Sequence, residues 1–169
     1  MKSEKVTLRA MEPEDLDLLY RIENDRQLWD VGNTSVPYSR YVLHDYIATS
    51  SGDIYTDRQV RQIIEDSRGI TVGMADIVNF AAKNLRAEVG IVIAREHRKN
   101  GYAYEAMTQI ADYACRVLHL HQLYAIISTQ NIFALTLFKK CGYNEASHLR
   151  DWLFDGKKYH DAVLMQIFL

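Results

Sequence analysis

Proline is nearly absent from this sequence, with two in 169 residues, and glycine is modest at eight. That leaves no stretch for a long flexible linker. The chain therefore reads as one domain over residues 1–169, large enough for a hydrophobic core. Cysteine is as scarce: Cys115 and Cys141 are the only two. They lack metal-ligand spacing, so no metal site is expected. Each lies in a helix-like pattern and reads as a buried thiol in a reducing compartment. No apolar run approaches the ~20 residues of a membrane span, and the opening "MKSEKVTLRA" has no apolar signal region. The expectation is a soluble, cytoplasmic protein with no membrane partner. Nor does one sign of charge dominate: 20 Lys and Arg face 22 Asp and Glu, a net charge of −2. That balance gives no electrostatic ground for a nucleic-acid partner.

What is present is a regular alternation of strand and helix signals. "KVTLRAM" alternates and is rich in β-formers, which predicts a first strand. "EPEDLDLLYRIEND" follows, with Leu16, Leu19, Tyr20 and Glu23 at helical spacing and Pro13 in the first turn. "SRYVLHDYIATS" carries a second helical register on Tyr41, Val42, Asp45 and Tyr46. "DRQVRQIIED", "RGITVGMADIVNF" and "RAEVGIVIAR" predict three strands, the last two separated by the polar turn "AAKN". A long helix covers about 101–118, with Ala106, Ile110, Tyr113, Ala114 and Val117 as its apolar stripe. "HQLYAIIST" is a buried strand, and "NIFALTLFKKC" a short helix capped by Asn131 and ended by Gly142. Two last strands flank Asp155-Gly156, a strong hairpin signal. The order implies a mixed α/β sheet, parallel where the long helix crosses over.

The stretch "EHRKNGYAYEAMTQIADYA" joins a strand to that long helix. The first amides of a helix have no intrahelical acceptor and carry the positive end of its dipole. Gly101 lets a ligand approach the backbone closely, Ala103 keeps the surface low, and Arg98 and Lys99 add full charges. Together these suit a phosphate or pyrophosphate; alternatively, the loop is a solvated basic turn that only caps a helix.

"RKNGYA" fits Arg/Gln-x-x-Gly-x-Gly/Ala and resembles the pyrophosphate loop of the GNAT superfamily of acyl-CoA-dependent N-acetyltransferases. "LRAMEPEDLDLLYRIEND", "RAEVGIVIAREHRKNGYAYEA" and "LHLHQLYAIISTQNIFALTLFKKCGY" are similar, in order, to further segments of that superfamily. "RDWLFDGKKYHDAVLM" is similar to the closing hairpin of the branch holding spermidine acetyltransferases and ribosomal-protein N-terminal acetyltransferases. The resemblance implies an α/β, single-domain GNAT-like fold, with a mixed central sheet of about six to seven strands flanked by about four helices. It implies acetyl-CoA as co-substrate, with the pyrophosphate on Arg98, Lys99, Asn100, Gly101, Tyr102 and Ala103. The pantetheine arm is then expected on the backbone of Ile91, Val92 and Ile93 and against Asn131.

Many relatives protonate the leaving thiolate with a tyrosine in the pattern Leu-Tyr-x-x-x-Gly. Here "LFKKCG" puts Phe138 at that position, and a phenyl ring cannot donate a proton. Such assistance typically contributes ~10²–10⁴-fold, although a thiolate of cysteine-like pKa leaves tolerably unaided. Glu88, just before the strand residues named above, resembles a carboxylate that polyamine acetyltransferases use near their substrate, and is the candidate catalytic base. Its alternative is a solvent-facing charge on the strand. Residues 11–30 hold seven acids (Glu12, Glu14, Asp15, Asp17, Glu23, Asp25, Asp30) against Arg21 and Arg26. On the resemblance the first helices line the acceptor groove, so these acids could draw a polycation; alternatively, they are a solvated helix face. The implied reaction is direct acetyl transfer in a ternary complex to a primary amine, spermidine or spermine ahead of a basic peptide N-terminus. A catalytically silent acyl-CoA-binding module is a third reading, supported by Phe138 alone. The resemblance also leaves room for a homo-oligomer.

Overall fold

The computed structural model describes residues 5–29 and 36–169, without the side chains of Gln27 and Trp29. The chain runs β1 (Val6–Ala10), α1 (Leu16–Glu23), α2 (Arg26–Trp29), α3 (Arg40–Thr49), α4 (Ile54–Asp57), β2 (Val60–Asp66), β3 (Thr71–Ala81) and β4 (Arg86–Ile93). It continues with α5 (Tyr102–Arg116), β5 (Gln122–Ser128), α6 (Ile132–Lys140), β6 (Asn144–Phe154) and β7 (Tyr159–Phe168). Seven strands form one sheet in the order β1-β2-β3-β4-β5-β7-β6. Every neighbouring pair is antiparallel except β4 and β5, which are parallel and joined through α5. This is the expected mixed α/β sheet. The four expected helices are α1, α3, α5 and α6. The additional α2 and α4 are single turns of four residues, too short to carry an apolar repeat.

Side chains alternate between the two faces of the sheet, and different helices cover each face. On one face Ala75, Ile77, Val89, Ile127 and Met165 meet Met107 and Ile110 of α5 and Phe138 of α6. On the other, Ile63, Met74 and Val92 meet Leu18, Leu19 and Ile22 of α1 and Leu43 of α3. Glu88 lies between the buried Ala87 and Val89, so it shares the second face with Val92, and it is half-buried.

Three expected faces are corrected. Tyr41 and Val42 are exposed, and α3 instead buries Leu43 with Tyr46 and Ile47 packed beside it. Val117 is exposed because α5 ends one residue earlier, and Met107 takes its share of the stripe. Neither cysteine is fully buried: Cys115 is exposed and Cys141 intermediate, since Cys115 follows the buried Ala114 and points away from the core. Among the described residues no helix is long and apolar enough to cross a membrane.

Candidate active site

The site begins where two strands part. β4 and β5 pair only at Arg86↔Gln122, Ala87↔Leu123 and Glu88↔Tyr124. Beyond Glu88, β4 stays with β3 through Ile91↔Ala75, Val92↔Met74 and Ile93↔Gly73. β5 turns instead to β7, through Ala125↔Met165 to Ser128↔Ala162. The edge of β4 from Val89 to Ile93 thus faces a wedge, where its backbone groups can pair with an extended ligand. Gly73 fixes that edge. A Cβ there would stand 2.1 Å from the Val92 carbonyl oxygen and 3.0 Å from Ile93 Cα, so any side chain would push β3 and β4 apart beside the wedge.

Past β4 the chain makes a 3-10 turn (Arg95–His97) and enters α5 through Lys99 at φ 67° and Gly101 at φ 82°. Both φ values lie in the left-handed region, which glycine reaches without a Cβ penalty. Gly101 is the N-cap of α5, and no side chain caps the helix. The loop is braced from within: Arg98 Nε donates to the Ile93 carbonyl at 3.0 Å, and Asn100 Nδ2 donates to the His97 carbonyl at 3.0 Å. With no side-chain cap, the first amides of α5 are left for an outside acceptor. Tyr102 and Ala103 are partly buried and pack against the core at the start of α5.

One nearby group escaped sequence reasoning. Lys5 Nζ lies 3.5 Å from where a Gly101 Cβ would be. The Glu105 carboxylate accepts from the Lys5 and Val6 amides, and Gln109 Nε2 donates to the Val6 carbonyl at 2.8 Å. These bonds tie the start of β1 to α5. Nothing local to "MKSEK" signals the contact, because its partners are about a hundred residues away.

Glu88 stands at the apex of the wedge, at the last paired position. Asn79 Nδ2 donates to its Oε2 at 2.7 Å. Asn79 itself sits at φ 52° where the β3–β4 register shifts after Val78, and such bulges re-aim side chains. Opposite lies Tyr124, whose phenol is pushed up by burial and, further, by the Glu88 charge. A cleft of about 310 Å³ opens at the far end of β4, lined by Ile22, Leu28, Val92, Ile93, Arg95 and Arg98 among others. An Arg21–Glu96 ion pair at 2.9 Å ties α1 to the loop across it.

A family model described as an acetyltransferase (GNAT) domain matches residues 5–144. The chain belongs to the GNAT acetyltransferase family. A spermidine N(1)-acetyltransferase of Vibrio cholerae is 27% identical over 96% of this chain and 92% of its own length. A crystal structure of the V. cholerae spermidine N-acetyltransferase in complex with CoA and spermine superposes with a TM-score of 0.86 at 28% identity, covering 98% of this chain and 96% of that one. A dodecameric structure of the V. cholerae enzyme matches at 0.82 and 28%, covering 98% and 95%.

Two further positions of this GNAT domain depend on α6. Asn131 Oδ1 accepts from the Ala134 amide at 3.1 Å, the expected helix cap, and its Nδ2 has no partner among the described residues. Phe138 is buried against Tyr143, the rings meeting edge to face at 4.9 Å and 69°.

The acids of the opening helices do not form a bare negative surface. Arg9 forks onto Asp15 at 2.7 and 2.8 Å, and the Glu12 amide adds a third bond at 2.8 Å. Burial pushes the Asp15 carboxyl up, but these donors win and hold it below the usual range. Asp17 pairs with Arg40, Glu23 with Arg61 at 2.6 Å, and Asp25 with Arg95 at 3.8 Å. Arg61 also bonds Asp76 at 2.7 Å. Four of the seven acids are thus paired with arginines from elsewhere in the chain, two of which, Arg9 and Arg61, also hold a further acid, Glu65 and Asp76. Asp30 lies outside the described residues.

Proposed function

We propose that this chain transfers the acetyl group of acetyl-CoA to a primary amine of a polyamine such as spermidine or spermine, residues 1–169 acting as one catalytic domain. The observation that carries the reading is the wedge between β4 and β5, with a carboxylate at its apex and an uncapped helix N-terminus at its mouth. The parts suit acetyl-CoA in polarity, a free strand edge for amides and an uncapped helix N-terminus for an anion. The pantetheine arm pairs with the free edge at Ile91, Val92 and Ile93 and meets Asn131 Nδ2. The pyrophosphate takes the amides of 99–103, with Arg98, Lys99 and Lys5 supplying charge around them. Acetyl-CoA brings the activated thioester; the chain supplies orientation, and Glu88 takes the proton of the attacking amine directly or through a water.

The V. cholerae structure is a complex with CoA and spermine, and that relative's ligand is what favours a polyamine among the primary amines that the Glu88 carboxylate could serve. Self-association belongs to the same reading: β6 is an edge strand, Trp152, Phe154 and Tyr159 are exposed on its hairpin, and a dodecameric relative exists. Free cysteines and acetyl-CoA both suit the cytoplasm.

The test is acetyl-CoA consumption with a panel of spermidine, spermine, amino acids and basic peptides. Turnover with the two polyamines above all others is the expected result. Turnover with peptides alone would move the acceptor to protein N-termini, and no turnover with any would leave an acyl-CoA-binding module.

Gly101→Val tests the cradle. In the free protein a Cβ meets nothing closer than the mobile end of Lys5, so the fold should bear only the left-handed strain, about 1–2 kcal/mol. The side chain would, however, cover the amides. Acetyl-CoA affinity measured by calorimetry is expected to fall at least about tenfold, roughly 1.4 kcal/mol. A folded variant that binds as the parent does would remove the loop from the site.

A further inference from the structure

Gly90 is a glycine that neither the backbone nor the packing of this fold requires. Five of the described glycines take a left-handed φ, and Gly73 is crowded by the Val92 carbonyl. Gly90 lies within β4, opposite Asp76 of β3, and has no left-handed φ. Among the described residues, a Cβ built on it would touch only the Asp76 Cβ, at 3.9 Å, an ordinary van der Waals contact. Alanine would therefore fit. Glycine inside a strand gives up backbone entropy and packs nothing, and it often marks a place where a ligand comes close to the backbone.

The position says which ligand. Residues two apart on a strand share a face, so Gly90 stands between Glu88 and Val92 on the face of the candidate base. It also lies on the stretch of β4 that has left β5, two residues past Glu88. With the pyrophosphate at 99–103 and the pantetheine arm on Ile91 to Ile93, the thioester comes at the Gly90 end of the free edge. The arm pairs in the plane of the sheet, whereas a Cβ at Gly90 would stand out of it, on the side from which an amine can reach Glu88. The gap there has a fixed wall. Arg61 forks onto Asp76, Nε to Oδ1 at 2.7 Å and Nη2 to Oδ2 at 3.0 Å, and so holds that carboxylate toward β2. Asp76 and Glu88 are diagonal neighbours across β3 and β4, about 7–8 Å apart. With carbon atoms in contact at about 3.5–4.0 Å, one alkyl chain fits between them.

We propose that Gly90 determines acceptor specificity: its missing side chain leaves the passage by which an amine on an unbranched carbon reaches the thioester beside Glu88. The role rests on acetyl-CoA lying along the free edge of β4. A terminal amine of a linear polyamine enters with its chain between Asp76 and Glu88. An amine on a branched carbon carries a further substituent that meets one of those walls. Shape thus favours the linear amine, independently of charge.

Gly90→Ala and Gly90→Val should both fold with parental or higher stability in chemical denaturation, since a strand gains from a side chain that meets no clash. kcat/KM for spermine should fall about tenfold in Gly90→Ala and further in Gly90→Val, with acetyl-CoA affinity parental in both. Spermine affinity of the CoA-loaded protein, which needs no turnover, should fall in parallel. The parent should prefer spermine about 10- to 100-fold over bis-α-methylspermine, whose primary amines both stand on branched carbons. Variants with parental kcat/KM for spermine, or a parent that takes both amines equally, would overturn the role and leave the acetyl-CoA reading intact. Variants that lose acetyl-CoA affinity as steeply as spermine turnover would assign Gly90 to the cofactor edge and overturn the role as well. A parent that binds acetyl-CoA but acetylates no amine would overturn the proposed reaction, and this role with it.

Discussion

Phe138→Ala should destabilise the protein by about 3–5 kcal/mol, the usual cost of deleting a buried phenyl ring and leaving its cavity. Phe138 is 4% exposed and sits where α6 closes on the sheet. Its loss also removes the edge-to-face partner of Tyr143, a contact of the kind worth about 0.5–1.5 kcal/mol beyond area. A water entering beside the Tyr143 hydroxyl would soften the loss, which puts the expected value near the lower end. The resemblance sets Phe138 against the acetyl-CoA thioester, so acetyl-CoA affinity should fall as well, by about tenfold. Chemical denaturation with an unchanged slope would report the first effect, and calorimetric titration the second. A variant within about 0.5 kcal/mol of the parent, the range of a neutral surface change, would place the ring outside the packed layer and outside the site.

How far such residues could be read from sequence depends on whether their partners are near in the chain. The seven strands and four main helices were legible because each carries its own period, and the closing hairpin because Asp155-Gly156 names its turn. Apolar count places a helix but not always its face. Tyr41 and Val42 look as suitable for burial as Leu43, and only the packing of α3 against α1 decides between them. The loop at Gly101 was legible because its chemistry is written in six consecutive residues. The wedge itself was not, since the parting of β4 from β5 after Glu88 is a matter of register, which a single sequence does not carry. Charges were the least legible. Glu23 reads as an acid on a helix until Arg61, 38 residues away, is found beside it with Asp76. Lys5 reads as an N-terminal lysine until Glu105 and Gln109 bring it to the mouth of α5.

Glu88→Gln should lower turnover at neutral pH by about 10²-fold, within the range general bases supply, while leaving acetyl-CoA affinity unchanged. An alkylamine with the lysine-like pKa of ~10.4 is neutral in only about one molecule in 2,500 at pH 7, and only the neutral form attacks. Glu88 stands at the last paired position before the wedge opens, with Asn79 donating to its Oε2 at 2.7 Å. Glutamine keeps the shape, and its carbonyl oxygen still accepts from Asn79, so the wedge should not move. What it loses is the ability to take a proton. The consequence for pH follows directly. As pH rises toward the pKa of the amine, the solvent supplies more neutral acceptor and the base matters less. The variant's rate should therefore climb with pH and approach the parent's at the alkaline end, the gap being widest at neutral pH and below. Rates with spermidine from pH 6 to pH 10, at saturating acetyl-CoA, would draw both curves. Curves that run parallel with no gap would make Glu88 a structural partner of Asn79 and leave the proton to water.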